Sequence, residues 1–593
     1  MPTNGAKGLD PITVKILWDR LASIASEATT TQYRTAFSTV VRESNDFACS
    51  IMDVGGGTLA QSDIGLPSFV ATQAITLENM LKRFPLDSLE EGDVLITNDP
   101  WIATAQIYDF TCLKPIVKNG RVVAFAGSVA HTPDIGGVQR WSLSLDVFEE
   151  GLFVPPMKVF RAGERNEDLF TLIEYNCRTP GYTLGDLDAQ FSALHIMEQR
   201  VLALLDEQEL DDLDKLVPEI YGRSEAAIRA VIDEIPDGTY TYELWIDNGF
   251  TDPLAPRHIK DRPPLLIHAA VTIAGSDITV DYSESSPQIA GGFNSGWTFT
   301  QAYTGYGVRL MTVPYLPHNA GFLRPLKVIS KPGTIMNAEY PSAGLYRHAI
   351  GHQACDAVFG ALAEVIPDRV WAQGGSAPVW IFIALGKDRR GNAYNRLLPI
   401  NGGLGAMPAK DGEIATFPAN LSNTPIEIME DSMPIVMESK EVIPDSAGPG
   451  KYRGAPGQRV TFRAKASIVF SFMVARMQHP PQGLLGGLSG RGGRVWMNGE
   501  EMGPRDGQLQ DGDVLVFETP GGGGMHPPFE RNIAAVEEDV QEEIVSIEQA
   551  RLAYGVVIDP QTLQADLDAT ERLRVRADGS AGTERELAAA AVD

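Results

Sequence analysis

The chain has 593 residues, 44% of them hydrophobic, which is enough to bury a large core in more than one domain or in one domain of unusual size. Its 49 Lys and Arg against 77 Asp and Glu give a net charge of -28, which opposes binding to a phosphate backbone and makes nucleic acid an unexpected partner. The first residues lack the layout of a signal peptide and no apolar run approaches the ~20 residues that span a bilayer, so we expect a cytoplasmic protein without membrane contact.

The N-terminal part alternates helical and sheet-like patterns. An Asp-Pro start followed by apolar residues at helical spacing predicts a helix over about 11–30. Short β-branched runs broken by Gly, Asn and Pro predict a sheet from about 45 to 160. Helical periodicity returns over about 189–208 and 224–235, and we expect these helices to cover one side of the sheet.

The remaining sequence is richer in glycine and proline. LLIHAAVTIAG and DITVDYS predict an antiparallel pair joined by a tight Gly-Ser turn. Between about 290 and 460 only the stretch near 354–364 has a helical pattern, and extended, polyproline-like or loop-rich packing is expected. The stretch GQLQDGDVLVFETPGGGG predicts a strand pair closed by a glycine loop. Residues of about 537–554 are predicted to form a late helix, and the last 25 or so residues are expected to be weakly ordered.

These patterns divide the chain into four expected regions. Residues 1–240 contain an N-terminal helix, the first sheet and the candidate site, and residues 241–330 form a second β layer. Residues 331–530 form a Gly/Pro-rich polyproline-like and β region, and residues 531–593 form a C-terminal helix with a weakly ordered tail.

Familiar catalytic motifs are missing from the sequence. It has no GxxxxGK[ST] phosphate loop, strand-placed GxGxxG, GxSxG elbow or HExxH zinc motif, and its four scattered cysteines form no CxxC pair. GLLGGLSGRGG and PGGGG open no helix, so we interpret them as tight turns. An ATP site is therefore not expected on this chain.

Polar side chains in the first sheet region remain as candidates for chemistry. Asp46, Asp109, His131 and Asp134 each stand at or just beyond an apolar run, where a strand can aim a side chain into a cleft. The alternative is structural, because strand-end carboxylates also cap turns and histidines also hydrogen-bond within cores. The residues alone leave both interpretations open.

A series of ordered blocks carries a family resemblance. The blocks are DPITVKILWDRLASIASE, NDFACSIMD, GDVLITNDPW, AHTPDIGG, EGLFVPPMK, GDLDAQ, PHNAGFLRP, NTPIEIME, PDSAGPGKYRGAPG and ARLAYGVVID. Together they resemble the hydantoinase B family, which includes the B-type components of N-methylhydantoinases, the C-terminal part of 5-oxoprolinases and large subunits of ATP-dependent ketone carboxylases. The resemblance implies a β-rich α+β fold, with two β-sheets in a barrel-like arrangement running into a bundle of short polyproline II-like segments and flanking helices.

The resemblance also implies a site. Family members bind a divalent metal, Zn or Mn, through the His and Asp of a THLPD-like segment, the first His of AHH and an earlier Asp. Asp46 matches the earlier aspartate, Asp109 the aspartate of THLPD and His131 the first histidine of AHH, whereas Gln106 replaces the ligand histidine and Thr132 the second histidine. An amide oxygen is a poor zinc ligand beside imidazole, so low metal affinity is expected. Asp46, Asp109 and His131 are then the candidate catalytic residues.

Partner subunits follow from the same resemblance. In these systems a separate hydantoinase A-like ATPase phosphorylates the substrate or bicarbonate, and the hydantoinase B-like component completes the reaction on the activated species. The resemblance therefore implies ATP, with Mg, on hydantoinase A-like partners, and further small subunits.

Three functions stay open. The tryptophan of NDPW, the missing ligand histidine and the chain length are most similar to the hydantoinase B-like subunit of an acetophenone carboxylase, which joins acetophenone and bicarbonate into benzoylacetate. The alternatives are the hydantoinase B-like component of an ATP-dependent N-methylhydantoinase or oxoprolinase, which hydrolyses a cyclic amide, and a non-catalytic scaffold for the ATPase subunits.

Three further segments contain weaker candidates. Arg347 and His348 in SAGLYRHAIGH stand where relatives often carry glycines, and they could contact substrate or carboxyphosphate or lie at the surface or a helix start. His318 and Arg324 in PHNAGFLRP could bind an anion or accompany a turn. The aromatic stretch at 295–307 could wall a pocket for an aryl ketone or pack in the core.

Overall fold

The computed structural model describes residues 9–138, 144–247, 262–388, 390–416, 421–503 and 506–578. These residues form a mixed α+β structure with four β-sheets, which confirms the predicted fold class. None of these four sheets closes into a barrel, so the barrel-like arrangement expected from the resemblance is wrong. Among the helices of the described ranges, none combines the length and apolar composition needed to cross a bilayer.

The first sheet confirms the strands predicted between 45 and 160 and positions the site. Its order is β2-β1-β5-β4-β3-β6-β7, and every neighbouring pair is antiparallel. Its strands are β1 (Phe47–Met52), β2 (Thr58–Gln61), β3 (Val94–Thr97), β4 (Asp109–Lys118), β5 (Arg121–His131), β6 (Met157–Arg161) and β7 (Glu164–Arg165).

The helices of the N-terminal part pack around this sheet. They are α1 (Pro11–Thr35), α2 (Thr39–Arg42), α3 (Pro67–Arg83), α4 (Val147–Glu150), α5 (Glu167–Asn176), α6 (Pro180–Glu207) and α7 (Val217–Ile232). The side chain of Asp10 caps α1 by accepting hydrogen bonds from the N–H groups of Ile12 and Thr13, as its Asp-Pro start predicts. The predicted helices are confirmed, but α6 begins earlier than expected because the Gly and Thr residues of PGYTLGD hide its periodicity.

The second sheet contains the predicted antiparallel pair. Ala274 lies opposite Asp277 across the tight turn, and the last strand of the sheet pairs in parallel with its neighbour. The order is β11-β10-β9-β8, with β8 (Gly238–Ile246), β9 (Leu265–Ala274), β10 (Asp277–Asp281) and β11 (Leu326–Ile329).

The third and fourth sheets are antiparallel and share connecting segments. The third has the order β13-β12-β16-β19 and the fourth the order β14-β15-β20-β17-β18. The strands are β12 (Trp380–Lys387), β13 (Ala393–Ile400), β14 (Ile435–Val442), β15 (Gln458–Ala464), β16 (Ile468–Met473), β17 (Arg494–Met497), β18 (Glu500–Met502), β19 (Gly507–Leu509) and β20 (Val514–Glu518). The strand pair predicted within GQLQDGDVLVFETPGGGG is wrong, because β19 pairs with β16 whereas β20 lies between β15 and β17.

The remaining helices correct several predictions. They are α8 (Trp297–Thr312), α9 (His348–Gly351), α10 (Gln353–Leu362), α11 (Ile426–Ser432), α12 (Ile533–Gln541), α13 (Ile547–Tyr554) and α14 (Leu567–Asp578). The prediction missed α8 because its Gly, Thr and aromatic residues have low helix propensity and it is buried on most sides, which removes the amphipathic pattern. The single helix predicted over about 537–554 is in fact two helices, α12 and α13. The weak order predicted for the last 25 or so residues is wrong as far as residue 578, because α14 extends to that residue. Residues 579–593 lie outside the described residues.

Glycine-rich extended segments link the strands of the third and fourth sheets. They hydrogen-bond directly to one another, for example from Gly403 N–H to Pro520 O at 3.0 Å and from Gly522 N–H to Ala455 O at 2.8 Å. A Cβ atom on Gly454 would lie 2.0 Å from Gly522 O, so this close backbone approach requires glycine. The extended packing is as predicted, while the polyproline II geometry and the four region boundaries stay predictions.

Candidate active site

Three of the residues predicted from the sequence meet at one edge of the first sheet. Strand β1 begins directly after Asp46, β4 begins at Asp109 and β5 ends at His131. Asp109 and His131 lie opposite each other in the β4–β5 pair. The backbone N–H of His131 donates a hydrogen bond to Asp46 O at 3.0 Å. The apolar strands thus bring three polar strand ends together.

Asp109 orients the His131 ring. The Nδ1 atom of His131 lies 2.7 Å from Asp109 Oδ1, and both side chains are buried. An ionised carboxylate accepts a hydrogen bond, so Nδ1 carries the proton and the ring is held in one tautomer. The ring of Tyr108 stacks on the imidazole with centroids 5.6 Å apart. This arrangement is an Asp-His pair of the kind that serves in general acid–base catalysis.

Arg347 brings a buried positive charge to the same cluster. Its Nη2 atom lies 2.6 Å from Asp109 Oδ2, and its Nη1 atom donates to Gln106 Oε1. Its guanidinium carbon lies 4.3 Å from the centroid of the Phe299 ring, within cation–π range. Arg347 directly precedes α9, so the helix-start interpretation holds, but at 4% exposure the surface interpretation is wrong.

The loop that carries Arg347 is fixed by buried hydrogen bonds. Glu150 Oε1 accepts from the N–H groups of Gly344 and Leu345, each at 2.8 Å. Gln106 Nε2 donates to Leu345 O at 2.8 Å. A Cβ atom on Gly344 would lie 2.8 Å from Ala105 O, so glycine permits the close approach of the two loops. Gln106 therefore anchors both the loop and the guanidinium.

Left-handed backbone precedes two of the site residues. Asn45, before Asp46, has φ 59°, and Ala105, before Gln106, has φ 64°. Asparagine adopts this region at little cost, whereas alanine seldom does. Such conformations persist where the surrounding structure imposes them, and they concentrate at functional sites.

The two aspartates have opposite pKa shifts. Burial raises the pKa of Asp46 to about 6, with Asp109 adding to the shift while His131 and Arg347 oppose it. Burial also acts on Asp109, but the Arg347 charge and the hydrogen bond from His131 outweigh it and lower the pKa. Asp109 is thus the permanent anion. Oδ1 of Asp46 is buried and has no hydrogen-bond partner among the described residues.

Two further histidines near Arg347 are held neutral. Burial, followed by the Arg347 charge, lowers the pKa of His348 to about 3. Burial, with the neighbouring His348 and Arg347, also lowers the pKa of His352 well below its ordinary value. Both rings can therefore act as neutral hydrogen-bonding groups. Nε2 of His348 is buried without a partner in the described part of the chain.

These polar groups form one end of a cavity between the first sheet, α8 and the third sheet, in which the centres of water-sized molecules have a volume of about 40 Å³. Its other walls are aliphatic and aromatic. The lining residues are Asp46, Leu66, Phe69, Gln106, His131, Phe299, Tyr303, Arg347, His348, His352, Val379, Ile381, Leu397, Leu421 and Met473. In the 295–307 stretch, Phe299 and Tyr303 are buried core residues that also line the cavity, while its use for an aryl ketone stays a prediction. An apolar cavity with a few convergent polar groups is the usual form of a small-molecule site.

The side chains at the polar end do not fit a divalent metal. His131 and Arg347 occupy both carboxylate oxygens of Asp109, and Arg347 occupies the amide oxygen of Gln106. Within the described ranges, no group of three or more His, Cys, Asp or Glu side chains is arranged to hold a metal ion. A dication about 4 Å from a guanidinium would be repelled by about 8 kcal/mol at an effective dielectric constant of about 20. The oxygens of Asp109 and Gln106 are thus engaged by protein donors and are not arranged as ligands of the metal that the resemblance implies.

The other predicted residues lie away from the cavity. Asp134 pairs with Arg178 at 3.1 Å and accepts backbone hydrogen bonds from the turn that follows it and from the start of α6. Arg324 pairs with Glu225 at 2.9 Å. The buried ring of His318 packs against an aromatic neighbour. We assign structural roles to these three residues.

Sequence reasoning did not single out Phe69 or His352 among the lining residues. His352 follows His348 by four positions, so helical spacing could have indicated a shared face. No local signal distinguishes Phe69 from the core residues of α3.

Comparison with known proteins agrees with this architecture. The sequence model of the family described as hydantoinase B/oxoprolinase matches residues 10–528. The chain is 31% identical to the beta chain of the caprolactamase of Pseudomonas jessenii, covering 93% of this chain and 97% of that protein. It is 29% identical to a protein named as the hydantoinase B component of a D-/L-hydantoinase from Pseudomonas sp. strain NS671, covering 96% and 98%. Both relatives are named as parts of larger enzymes, so the chain is related to components of enzyme complexes.

Two solved structures share the fold. The ATP-dependent caprolactamase from Pseudomonas jessenii superposes with a TM-score of 0.86 at 28% identity, covering 96% of this chain and 100% of that chain. A nucleotide-free acetone carboxylase superposes with a TM-score of 0.87 at 19% identity, covering 96% of this chain and 83% of that chain. At 19% identity, the match to the acetone carboxylase shows only that the two chains share a fold.

Proposed function

Because the chain belongs to the hydantoinase B/oxoprolinase family, we propose that it is the component of a multi-subunit ATP-dependent ketone carboxylase that forms the carbon–carbon bond. The substrate is an aryl ketone, acetophenone, which reacts with bicarbonate to give benzoylacetate. Hydantoinase A-like partners bind ATP and Mg and supply the phosphorylated species. This chain receives these species in the cavity described above.

The observation that carries the proposal is the cavity itself. A buried arginine and an aspartate-held histidine stand at one end of an otherwise apolar space with the aromatic walls Phe69, Phe299 and Tyr303. Aromatic walls suit an aryl group, and the two polar residues suit a carbonyl oxygen that becomes an oxyanion. Apolar walls also limit water, which would otherwise consume carboxyphosphate.

The residues of the cavity have distinct roles in this reaction. A water molecule attacks the phosphorus of the enol phosphate, the P–O bond to the enol oxygen breaks, and the proton of that water passes to Nε2 of His131, which later returns it to the departing phosphate. The Arg347 guanidinium and the protonated imidazole then stabilise the enolate oxygen. Loss of phosphate from carboxyphosphate releases carbon dioxide. The enolate carbon attacks its carbon atom, the ketone C=O reforms and the negative charge passes to the new carboxylate.

A second candidate is hydrolysis of a cyclic amide after its phosphorylation by the partner. The 31% identity to a caprolactamase component over nearly the whole of both chains favours it. In that reaction His131 would take the proton of the attacking water. Within the described ranges, Asp46 Oδ1 and Arg347 Nε lack a hydrogen-bond partner at the cavity, which disfavours the third possibility, a non-catalytic scaffold.

Labelled bicarbonate separates the two enzymatic candidates. The assembled complex with ATP, acetophenone and labelled bicarbonate is expected to form labelled benzoylacetate, and the separated subunits are not. ATP-dependent ring opening of a lactam or hydantoin without label in the product would replace the carboxylase by the hydrolase. No turnover with either substrate class would favour the scaffold.

The division of labour has its own test. The isolated chain is expected to hydrolyse no ATP, because its sequence lacks a phosphate loop. Phosphate release by the purified chain is compared with release by the assembled enzyme. Equal rates would contradict the assignment of ATP to the partners.

A further inference from the structure

The Gln106, Asp109 and Arg347 side chains form one interlocked unit. The guanidinium bridges the amide oxygen of Gln106 and the carboxylate of Asp109, and the amide nitrogen of Gln106 holds the backbone of the Arg347 loop. These contacts join residues that are far apart in the chain, since Arg347 follows Asp109 by 238 residues. Gln106 contacts both the side chain and the backbone loop of Arg347.

We propose that the Arg347 guanidinium is a built-in cation that replaces a divalent metal in this cavity, with Gln106 as its matched partner. The proposal does not depend on whether the reaction is carboxylation or amide hydrolysis.

Chemical complementarity supports this exchange. A neutral histidine at position 106 has one ring lone pair, which can bind a metal or accept a hydrogen bond from the guanidinium but cannot do both. Glutamine accepts from Arg347 through oxygen and donates to Leu345 O through nitrogen, which satisfies both ends of the amide. The guanidinium also lies over the Phe299 ring, a contact that a hydrated dication would not make as readily.

The guanidinium keeps a donor for a ligand. Its Nε atom is buried and has no hydrogen-bond partner among the described residues, although Nη1 and Nη2 are both engaged. Since Arg347 lines the cavity, this N–H can serve an anionic oxygen of a bound molecule. The guanidinium can therefore stabilise negative charge, as a metal ion does, but it cannot activate a bound water as a Lewis acid does.

Metal binding tests the proposal without any substrate. The wild-type chain, Gln106→His, the double variant Gln106→His/Arg347→Gly and a control, Gln106→His/Arg324→Gly, are titrated with Mn²⁺ and Zn²⁺ by calorimetry. Metal per chain is then measured after dialysis. Arg324 is a half-exposed arginine paired with Glu225, so the control removes the same charge away from the cavity.

We expect one bound metal ion per chain in the Arg347 double variant and none above background in the other three. Gln106→His alone should stay empty, because Arg347 still occupies Asp109. Stoichiometric metal in the wild type that Asp109→Asn removes would overturn the proposal. So would a double variant that unfolds at the wild-type temperature and still binds no metal. Should the double variant not fold, crystals of the wild type soaked in Mn²⁺ decide: anomalous density beside Asp109 overturns the proposal, and its absence upholds it.

Discussion

Two buried ionic clusters in this molecule differ in how completely they are satisfied. In the first, remote from the cavity, Arg531 lies 2.7 Å from Asp411 and 2.8 Å from Asp539, and Arg453 lies 3.0 Å from Asp539. Two guanidinium groups face two carboxylates. Within the described residues, none of the four leaves a buried side-chain atom without a hydrogen bond. This cluster is complete in itself.

The cavity cluster is built from the same residue types but is not complete. Arg347 and Asp109 pair at 2.6 Å, yet Arg347 Nε and Asp46 Oδ1 are buried with no partner in the described part of the chain. Buried polar atoms are costly unless they are hydrogen-bonded. The two clusters therefore differ in that the first uses its donors and acceptors within itself, whereas the second leaves a donor and an acceptor at a cavity, where a ligand can meet them.

Removal of the His131 imidazole should lower turnover more than any other change at the cavity. His131→Ala in the assembled complex should lower the rate by roughly 10²–10⁴-fold, because it removes the group that exchanges the proton. Binding of the ATPase partners should not change, since the side chain is buried. Turnover and co-purification with the partners are the measurements. Wild-type turnover would return His131 to a structural role.

A second substitution removes one carboxylate from the ionic cluster that is remote from the cavity. Asp539→Asn should destabilise the fold by about 3–5 kcal/mol, because it leaves two buried guanidinium groups with one carboxylate. The thermal midpoint should fall while turnover per folded chain stays at the wild-type value. A large loss of turnover at temperatures where the variant is fully folded would show that this cluster also serves the reaction.

The buried Glu150 carboxyl, which holds the loop of Arg347, should make the stability of the fold depend on pH. Burial raises its pKa to about 8 although two backbone N–H groups oppose the shift. The folded-state pKa lies above the ordinary 4.5, so this stability is fully present below pH 4.5 and is lost as pH rises through 8. Between about pH 7 and 9 the wild type should lose about 1 kcal/mol that Glu150→Gln retains. If the thermal midpoints of the wild type and Glu150→Gln changed equally with pH, Glu150 would not be the source of the pH dependence.

The smallest effect concerns the ring beneath the guanidinium. Phe299→Leu removes the cation–π contact and should reduce turnover by the equivalent of about 0.5–1 kcal/mol, a few-fold. Phe148→Leu is the matched control, because Phe148 is 66% exposed and does not line the cavity. Equal losses in both variants would remove Phe299 from the site.

The sequence alone locates half of the cavity cluster, and the reason is local. Asp46 directly precedes β1, Asp109 begins β4 and His131 ends β5, and antiparallel pairing brings these strand ends to a common edge. Helix α1 and the second-sheet pair were predictable for the same reason, because their periodicity or turn chemistry is contained in a short window.

The other half depends on tertiary contacts. Arg347 meets Asp109 from 238 residues away, and no local pattern indicates that its charge is buried. Helix α8, which supplies Phe299 and Tyr303, carries no amphipathic signal because packing surrounds it. In the same way, the separation of β19 from β20 results from pairing with distant strands rather than from the turn between them.

A single matched pair of variants tests the central claim, that the unsatisfied cluster is the active site and the satisfied one is structural. Arg347→Met and Arg531→Met each remove one buried guanidinium. ATP-dependent turnover per folded chain is measured in the assembled complex. We expect Arg347→Met to lower the rate by roughly 10²–10³-fold, as for removal of an oxyanion donor, and Arg531→Met to keep the wild-type rate. Wild-type turnover by Arg347→Met, or equal losses in both variants, would contradict the claim.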